Sequence, residues 1–257
     1  MEWTYSPPNF LEEPLSLRTD EYELAANDGK AVATGEVGDS ALDPTLQAQI
    51  HNRLHAHFIA TQIITHKPFD LSDFTSYRLH ADGRKDVTLR VQPAILHVSA
   101  GNLDLVLKDA AGNLLRDTRE ERIATERTLG ELVHSYREND AAAAAILSSY
   151  ETAVQDPDNE LIYLYEIRDA MAVKFGGHAS AISQLQLSQS AWDTLGALAN
   201  VEPLRQGRHR GRRAGQLRNA TPSELEEARS IARHIIQRYF GYLDSVPNPS
   251  PETTPAL

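Results

Sequence analysis

Hydrophobic and polar positions follow different patterns in the two parts of the chain. Up to Asp117, short apolar runs are separated by turn-forming Asn, Asp and Gly residues, as in antiparallel β structure. After it, apolar residues recur every three to four positions, which is the spacing of one helix face. The pattern predicts an α+β protein with a β-rich N-terminal domain at residues 1–117, a helical bundle domain at 118–244 and a disordered tail at 245–257.

The β-rich part contains one clear hairpin signal and one helix followed by strands. After an extended, proline-rich arm at residues 1–20, the turn sequence from Asn27 to Lys30 predicts a hairpin. Asp43 and Pro44 predict a helix that continues to Leu54. The following run, rich in Ile, Thr and Phe, is typical of a strand. Strands are therefore predicted within residues 55–69 and at 76–80, 87–92, 95–98 and 104–107.

Capping residues predict where several helices of the C-terminal part begin. Thr118 and Glu121 have capping-box spacing, and Asp140 precedes five consecutive alanines. Thr221 and Glu224 form a second capping box, with a proline between them at the first helical position. Helices are predicted to begin after these residues, and others are predicted at 161–175, 180–185 and 189–199.

A charged residue interrupts the most regular apolar stripe of the chain, in the helix that begins at Leu161. The other residues on that face are Leu161, Leu164, Tyr165, Ile167, Met171, Ala172 and Phe175. Arg168 falls in the middle of them. A buried guanidinium without a partner costs several kcal/mol, so we expect a carboxylate or several carbonyls beside it. Arg168 is either a ligand-binding residue, part of a structural ion pair or a side chain that extends along the apolar surface to reach solvent.

Composition narrows the class of protein. The chain has 257 residues, 41% hydrophobic and 24% charged, which is typical of a soluble globular protein. It has no run of eighteen apolar residues, so no membrane contact is expected, and its first residues lack the pattern of a signal peptide. We therefore expect a cytoplasmic protein. The absence of cysteine excludes disulfides, thiolate catalysis and cysteine-bound zinc.

Charge is distributed unevenly along the chain. Residues 205–218 contain six arginines and one histidine but no acid, within a total net charge of −11. The remainder of the chain, without those six charges, carries −17. Such a surface repels phosphate almost everywhere, so a general nucleic-acid coat is excluded and a single local basic site is allowed.

The basic segment is the main candidate binding site. Its glycines allow a ligand to approach the backbone, and guanidinium groups match phosphate geometry. The candidate binding residues are Arg205, Arg208, His209, Arg210, Arg212 and Arg213, together with Arg168. RNA cleavage would use His209 for proton transfer, with Arg205 and Arg208 stabilising the charged phosphorane. Alternatively, the segment pairs with the acidic remainder of the molecule and has no ligand.

Two further motifs give weaker evidence for a functional site than the basic segment does. Residues 178–198 have the rhythm of a helix-turn-helix, in which Ser188 would cap the second helix. DNA binding would place Gln189, Ser190 and Asp193 at base edges, although two packed helices of a bundle explain the same pattern. The histidines His51, His55, His57 and His66 lack the glutamate of a zinc-protease motif. No metal site and no cofactor is predicted.

The helical part with its late Arg/His segment resembles the HEPN superfamily over roughly residues 118–243. The resemblance implies a small helical bundle that binds or cleaves RNA through an arginine and a histidine with four to six residues between them. This sequence departs from that pattern. Arg205 has three residues between it and His209, and Arg208 is adjacent to His209.

The segments YLYEIRDAM and GRHRG also resemble the J protein family of the methylamine-utilisation cluster. That resemblance implies a cytoplasmic accessory role beside an amine-oxidising system, without catalysis. The favoured interpretation is accordingly a non-catalytic accessory or interaction protein with a protein partner and no cofactor. RNA binding or cleavage centred on His209 is the second interpretation, and helix-turn-helix DNA binding is the third.

Overall fold

The computed structural model describes residues 1–35, 43–79, 85–88, 104–109, 111, 113–213 and 215–246. It has an α+β arrangement with an N-terminal antiparallel sheet and a helical C-terminal region, as the sequence predicts. The chain forms two compact units, Met1–His134 and Ser135–Leu257. The composition change predicted a domain boundary at Asp117, whereas the units divide one helix later.

The sheet of the first unit has five antiparallel strands in the order β2-β3-β4-β1-β5. Their bounds are β1 Glu2–Ser6, β2 Leu15–Arg18, β3 Glu23–Asn27, β4 Lys30–Thr34 and β5 Asp70–Leu71. The predicted hairpin is confirmed as β3–β4. Asp28 (φ 48°) and Gly29 (φ 81°) form its two-residue turn, where residues that tolerate positive φ are required. The predicted arm at residues 1–20 contributes β1 and β2.

Helix α1 runs from Pro44 to Thr65, so the predicted strand within residues 55–69 is wrong. Its start is as predicted, because the Asp43 carboxylate accepts a hydrogen bond from the Thr45 amide at 2.9 Å. Every position from Ala56 to Ile64 is buried. A helix that is covered on all sides has no polar face, and it therefore lacks the periodicity by which sequence identifies a helix.

The core of the first unit is built on the middle of α1. The Phe58 ring lies 4.9 Å from Tyr5, 5.2 Å from Phe10 and 5.3 Å from Phe69, measured between ring centroids. Aromatic pairs of this kind contribute about 0.5–1.5 kcal/mol each beyond the area they bury. These contacts fix α1 against β1, the connection that follows β1, and the segment after the helix.

Two small hairpins complete the described strands. β6 (Ser76–Leu79) pairs with β7 (Lys85–Thr88), and β8 (Val106–Lys108) pairs with β9 (Leu114–Asp117). They correspond to three of the predicted strands, with different ends. The strand predicted at residues 95–98 lies outside the described residues.

Helix α2 (Thr118–Tyr136) has the predicted extent but a different cap. The Asp117 carboxylate accepts hydrogen bonds from the amides of Arg119 (3.0 Å) and Glu120 (3.2 Å). The Thr118 hydroxyl instead accepts a hydrogen bond from the Leu105 amide at 2.8 Å. The capping box predicted for Thr118 is therefore wrong, and Asp117 stabilises the first turn of α2.

The second unit is helical, with α4 in contact with each of the other four α-helices. The helices are α3 Ala141–Gln155, α4 Glu160–Lys174, α5 His178–Gln184, α6 Gln189–Asn200 and α7 Pro222–Ser245, and a 3-10 turn covers Arg210–Arg213. The apolar face predicted for α4 is confirmed by Leu161, Leu164, Ile167 and Met171, all fully buried. The predicted tail lies mostly outside the described residues.

The predicted caps of this unit are confirmed. Asp140 accepts from the Ala143 amide, and Thr221 forms a complete capping box with Glu224. Asp140 also accepts hydrogen bonds from the Tyr239 hydroxyl (2.7 Å) and from Lys174 Nζ (2.8 Å). One carboxylate thus links the start of α3 to the end of α4 and to α7.

Candidate functional site

The arginine loop, defined as residues 201–221 between α6 and α7, is closed at its base by backbone pairing. The Arg205 amide donates to the Arg218 carbonyl (2.9 Å), and the Arg218 amide donates to the Pro203 carbonyl (3.0 Å). Gly207 is buried against α6, where a Cβ would lie 2.9 Å from the Ala199 carbonyl oxygen. The close approach explains this glycine without reference to a ligand.

Most of the described arginines of the loop are bound to the second unit itself. Arg208 Nη1 lies 3.2 Å from Asp169 Oδ2, and its guanidinium lies 4.8 Å from the Tyr165 ring. Arg210 donates to the Asp158 carbonyl at 2.8 Å and to Asn159 Oδ1 at 2.5 Å. Both side chains hold the loop against α4 and the turn before it. This geometry corresponds to the docking alternative.

Arg218 forms a bidentate salt bridge with Glu224, in which Nη1 lies 2.7 Å from Oε2 and Nη2 lies 2.6 Å from Oε1. Hydrogen bonding from Arg218 lowers the pKa of Glu224 to about 2, and the Thr221 amide contributes further. Glu224 is also the capping-box acid of α7. The end of the arginine loop is consequently tied to the start of the next helix.

Arg205 and His209 differ from these arginines. Both are exposed, and within the described part of the chain neither side chain has a hydrogen bond, ion pair or ring contact. No described carboxylate orients the His209 imidazole, as a general base would require. The side chains of Arg212 and Arg213 lie outside the described residues. The described part of the loop therefore presents an exposed cation and an exposed imidazole.

Arg168 is largely buried, as expected, but the predicted carboxylate or carbonyl partner is wrong. Its guanidinium lies 5.0 Å from the Tyr165 ring and 5.1 Å from the Trp192 ring. Its Nε is buried and has no hydrogen-bond partner among the described residues. Gly196 provides the space, because a Cβ there would lie 2.4 Å from Arg168 Nη1. Cation–π contacts replace the expected ion pair.

The residues predicted to contact DNA bases instead form hydrogen bonds within the first turns of α6. Gln189 donates to both carboxylate oxygens of Asp193 at 3.0 Å, and the Ser190 hydroxyl lies 2.7 Å from that of Ser188. Ser188 accepts from the Ala191 amide, as its predicted capping role requires. These bonds favour the interpretation of α5 and α6 as packed helices of the second unit.

The first unit contains a polar cluster that was not predicted from the sequence, formed by Arg53, His57, Thr61, Glu126 and Glu131. Arg53 Nη2 donates to both carboxylate oxygens of Glu131 at 3.0 Å, and His57 Nε2 lies 3.1 Å from Glu131 Oε1. One turn further, the Thr61 hydroxyl donates to Glu126 at 3.2 Å. The four-residue spacing of Arg53, His57 and Thr61 would have revealed the cluster only if α1 had been recognised as one helix.

Burial dominates the electrostatics of this polar cluster. It lowers the pKa of His57, against the attraction of Glu131. It raises the pKa of Glu126 to about 7, although the Thr61 hydrogen bond opposes the shift. Partial burial also opposes ionisation of Glu131, but the hydrogen bonds and charge of Arg53, together with His57, outweigh it and hold the Glu131 pKa below its usual value. A charged Glu131 thus lies near a neutral His57 and a readily protonated Glu126.

The remaining histidines have separate surroundings. His51 Nδ1 accepts a hydrogen bond from the Trp3 indole at 3.0 Å, and the His51 ring stacks on His55 at 6.1 Å. Among the described residues, no three His, Cys, Asp or Glu side chains are placed to hold a metal ion.

The β8–β9 hairpin is the most apolar exposed surface of the first unit in its described part. Five large aliphatic side chains are each between 48% and 61% exposed, namely Leu105, Val106, Leu107, Leu114 and Leu115. Single exposed aliphatic residues are ordinary, but a group of five on one hairpin is typical of a binding surface.

Comparisons of the chain with protein-family models, with curated proteins and with solved structures find no match. None of the helices in the described residues combines the length and apolar character needed to cross a bilayer.

Proposed function

We propose that this chain is a non-catalytic interaction protein of the cytoplasm that binds a protein partner through the β8–β9 hairpin. The observation that carries the proposal is the half-exposed group of aliphatic side chains on that hairpin. Burying five such side chains in an interface would be worth several kcal/mol, because each contributes roughly 25 cal/mol for every Å² removed from water.

The hairpin is held in place at its base. The Arg122 guanidinium contacts Asp104 at 2.7 Å, and Thr118 contributes a hydrogen bond to the Leu105 amide. A surface fixed in this way loses little conformational entropy when it binds. The arrangement therefore favours a defined partner over non-specific adhesion.

Replacing Leu107 and Leu115 with serine should weaken binding to the native partner at least tenfold, while the melting temperature stays within about 2 °C because neither side chain is buried. The matched control is Val173→Ser, since Val173 is an 82% exposed aliphatic residue of the second unit. The measurement is isolation of the tagged full chain from its native host, followed by titration of the recovered partner. Equal binding by the hairpin variant would contradict the proposal.

The accessory role beside an amine-oxidising system rests on the resemblance of YLYEIRDAM and GRHRG. These two segments touch, because Arg208 of the second contacts Tyr165 and Asp169 of the first. Their proximity means that they constitute one local feature. Identification of an amine-oxidising enzyme or one of its maturation proteins as the hairpin partner would support this role.

RNA binding at the arginine loop is the second proposal, and the exposure of Arg205 and His209 favours it. We expect weak, salt-sensitive binding of single-stranded RNA and no cleavage, since the rest of the chain repels phosphate. Arg205→Glu should reduce the affinity without changing the melting temperature. Arg208→Glu should also lower the melting temperature, because it breaks the contacts with Asp169 and Tyr165. RNA turnover that is lost in His209→Ala would overturn the non-catalytic assignment.

A further inference from the structure

Residues 11–15, called the strap, line part of a small and partly open cavity in the first unit. The cavity has a volume of about 30 Å³, which is the space of a single water molecule. Strap residues line one side, and His57, Thr61, Ile123 and Glu126 line the other. The strap thus lies beside a buried part of the polar cluster, in which His57 and Thr61 are 4% and 3% exposed.

Ion pairs with α2 hold the strap. Arg122 contacts Glu12 at 2.8 and 2.7 Å, and Arg119 reaches Glu12 at 3.1 Å and Glu13 at 2.9 Å. Arg127, whose side chain is more exposed, lies 3.2 Å from Glu13. The strap is therefore attached through its two carboxylates.

Glu126 beneath the strap is incompletely bonded. One carboxyl oxygen accepts from Thr61, whereas Oε1 is buried and has no hydrogen-bond partner among the described residues. A carboxylate in that position lacks the solvation its charge requires, while a neutral carboxyl group tolerates it better. The closed strap is compatible with the protonated form.

The charges that face Glu126 come from every neighbouring segment. The strap contributes Glu12 and Glu13, α2 contributes Arg122 and Arg127, α1 contributes His57, and Lys67 follows α1. Glu12 repels an ionised Glu126, whereas Arg122 and Lys67 attract it. Because Arg122 already pairs with Glu12 and Asp104, ionisation of Glu126 adds a third carboxylate that competes for one guanidinium.

We propose that the strap is a pH-dependent cover, closed over the cavity when Glu126 is protonated and opened to water when Glu126 ionises. Opening would allow water to reach the free oxygen of Glu126 and the His57 ring. The strap and the hairpin share Arg122 as an anchor, through Glu12 and Asp104 respectively, and the device does not require a ligand in the cavity.

Thiol labelling can test the strap, because the chain has no cysteine. Ile123→Cys places a single thiol in the wall of the cavity, where Ile123 is 5% exposed. Labelling of the full chain is followed at pH 6 and pH 8, and each rate is divided by the fraction of thiolate. If the Glu126 pKa is about 7 under the closed strap and 4.5 when it is open, the corrected rate should rise about tenfold.

Adding Glu126→Gln should reduce that rise to less than twofold, and Glu126→Met gives the same test if the glutamine variant does not fold. The control is Ile146→Cys, since Ile146 is buried in the second unit and its label reports general unfolding. A corrected rate at Ile123→Cys that does not change with pH would overturn the proposal. So would an equal rise at Ile146→Cys, or a rise that persists without Glu126.

Discussion

Replacing Arg229 with methionine should lower the free energy of unfolding of the second unit by about 3 kcal/mol or more. Arg229 Nε and Nη2 contact the two carboxylate oxygens of Glu160 at 2.6 and 2.8 Å. Glu160 is only 1% exposed, so the substitution removes the cation beside a buried carboxylate. Glu160 lies in the first turn of α4, where the helix dipole stabilises a negative charge. That interaction offsets only about 1 kcal/mol of the cost of leaving the buried carboxylate without its cation.

Urea denaturation of the full chain, followed by circular dichroism, measures this loss. The double variant Glu160→Gln/Arg229→Met should be more stable than Arg229→Met alone, because no buried charge is left behind. Glu226→Gln is the exposed control, since the Glu226 side chain is 62% exposed and its loss should cost less than about 1 kcal/mol. A loss below 1 kcal/mol in Arg229→Met would contradict the assigned importance of the pair.

Glu126→Gln should stabilise the first unit at pH 8 by up to roughly 3 kcal/mol and have little effect near pH 4. Burial raises the pKa of Glu126 from 4.5 to about 7, so the folded state binds a proton more tightly than the unfolded state. The resulting penalty is absent below pH 4.5. It grows as the pH rises towards 7 and is complete above that value. The measurement is the denaturant midpoint of the variant and of the parent protein between pH 4 and pH 8. The two midpoints should be similar at pH 4, and the difference between them should grow as the pH rises.

Glu131→Gln supplies a control of opposite sign on the same helix. Despite partial burial, the hydrogen bonds and charge of Arg53, together with His57, keep the Glu131 pKa below its usual value, so the Glu131 charge stabilises the folded state above the unfolded pKa. The variant should be less stable than the parent at pH 7, and the difference should shrink as the pH falls. Glu126→Gln with the same pH dependence as the parent would show that Glu126 titrates normally and that its environment is wrongly assigned.

The helices of the second unit were predictable because their signals are local. Asp140, Ser188 and Thr221 cap helices through amides within three residues of themselves. The apolar face of α4 likewise follows from spacing within one helix. Such interactions do not depend on what the rest of the chain does, so a single sequence contains them.

Helix α1 shows where that reasoning fails. Its middle is buried on every side, and the Ile and Thr residues that fill it are as typical of strands as of a buried helix. Only its surroundings in the first unit decide between the two. Since the polar cluster depends on the alignment of Arg53, His57 and Thr61 along that helix, misassigning α1 also concealed the cluster.

The sequence alone determined the α+β arrangement, the helices of the second unit and the position of the arginine loop, because periodicity, caps and local charge act over a few residues. It also placed Arg168 correctly within the buried face of α4. Tertiary structure alone decided what these charges contact: rings for Arg168, Asp169 for Arg208, and solvent for Arg205. The reason is that the energy of a charge depends on its burial and on neighbours distant in sequence, which no local pattern specifies.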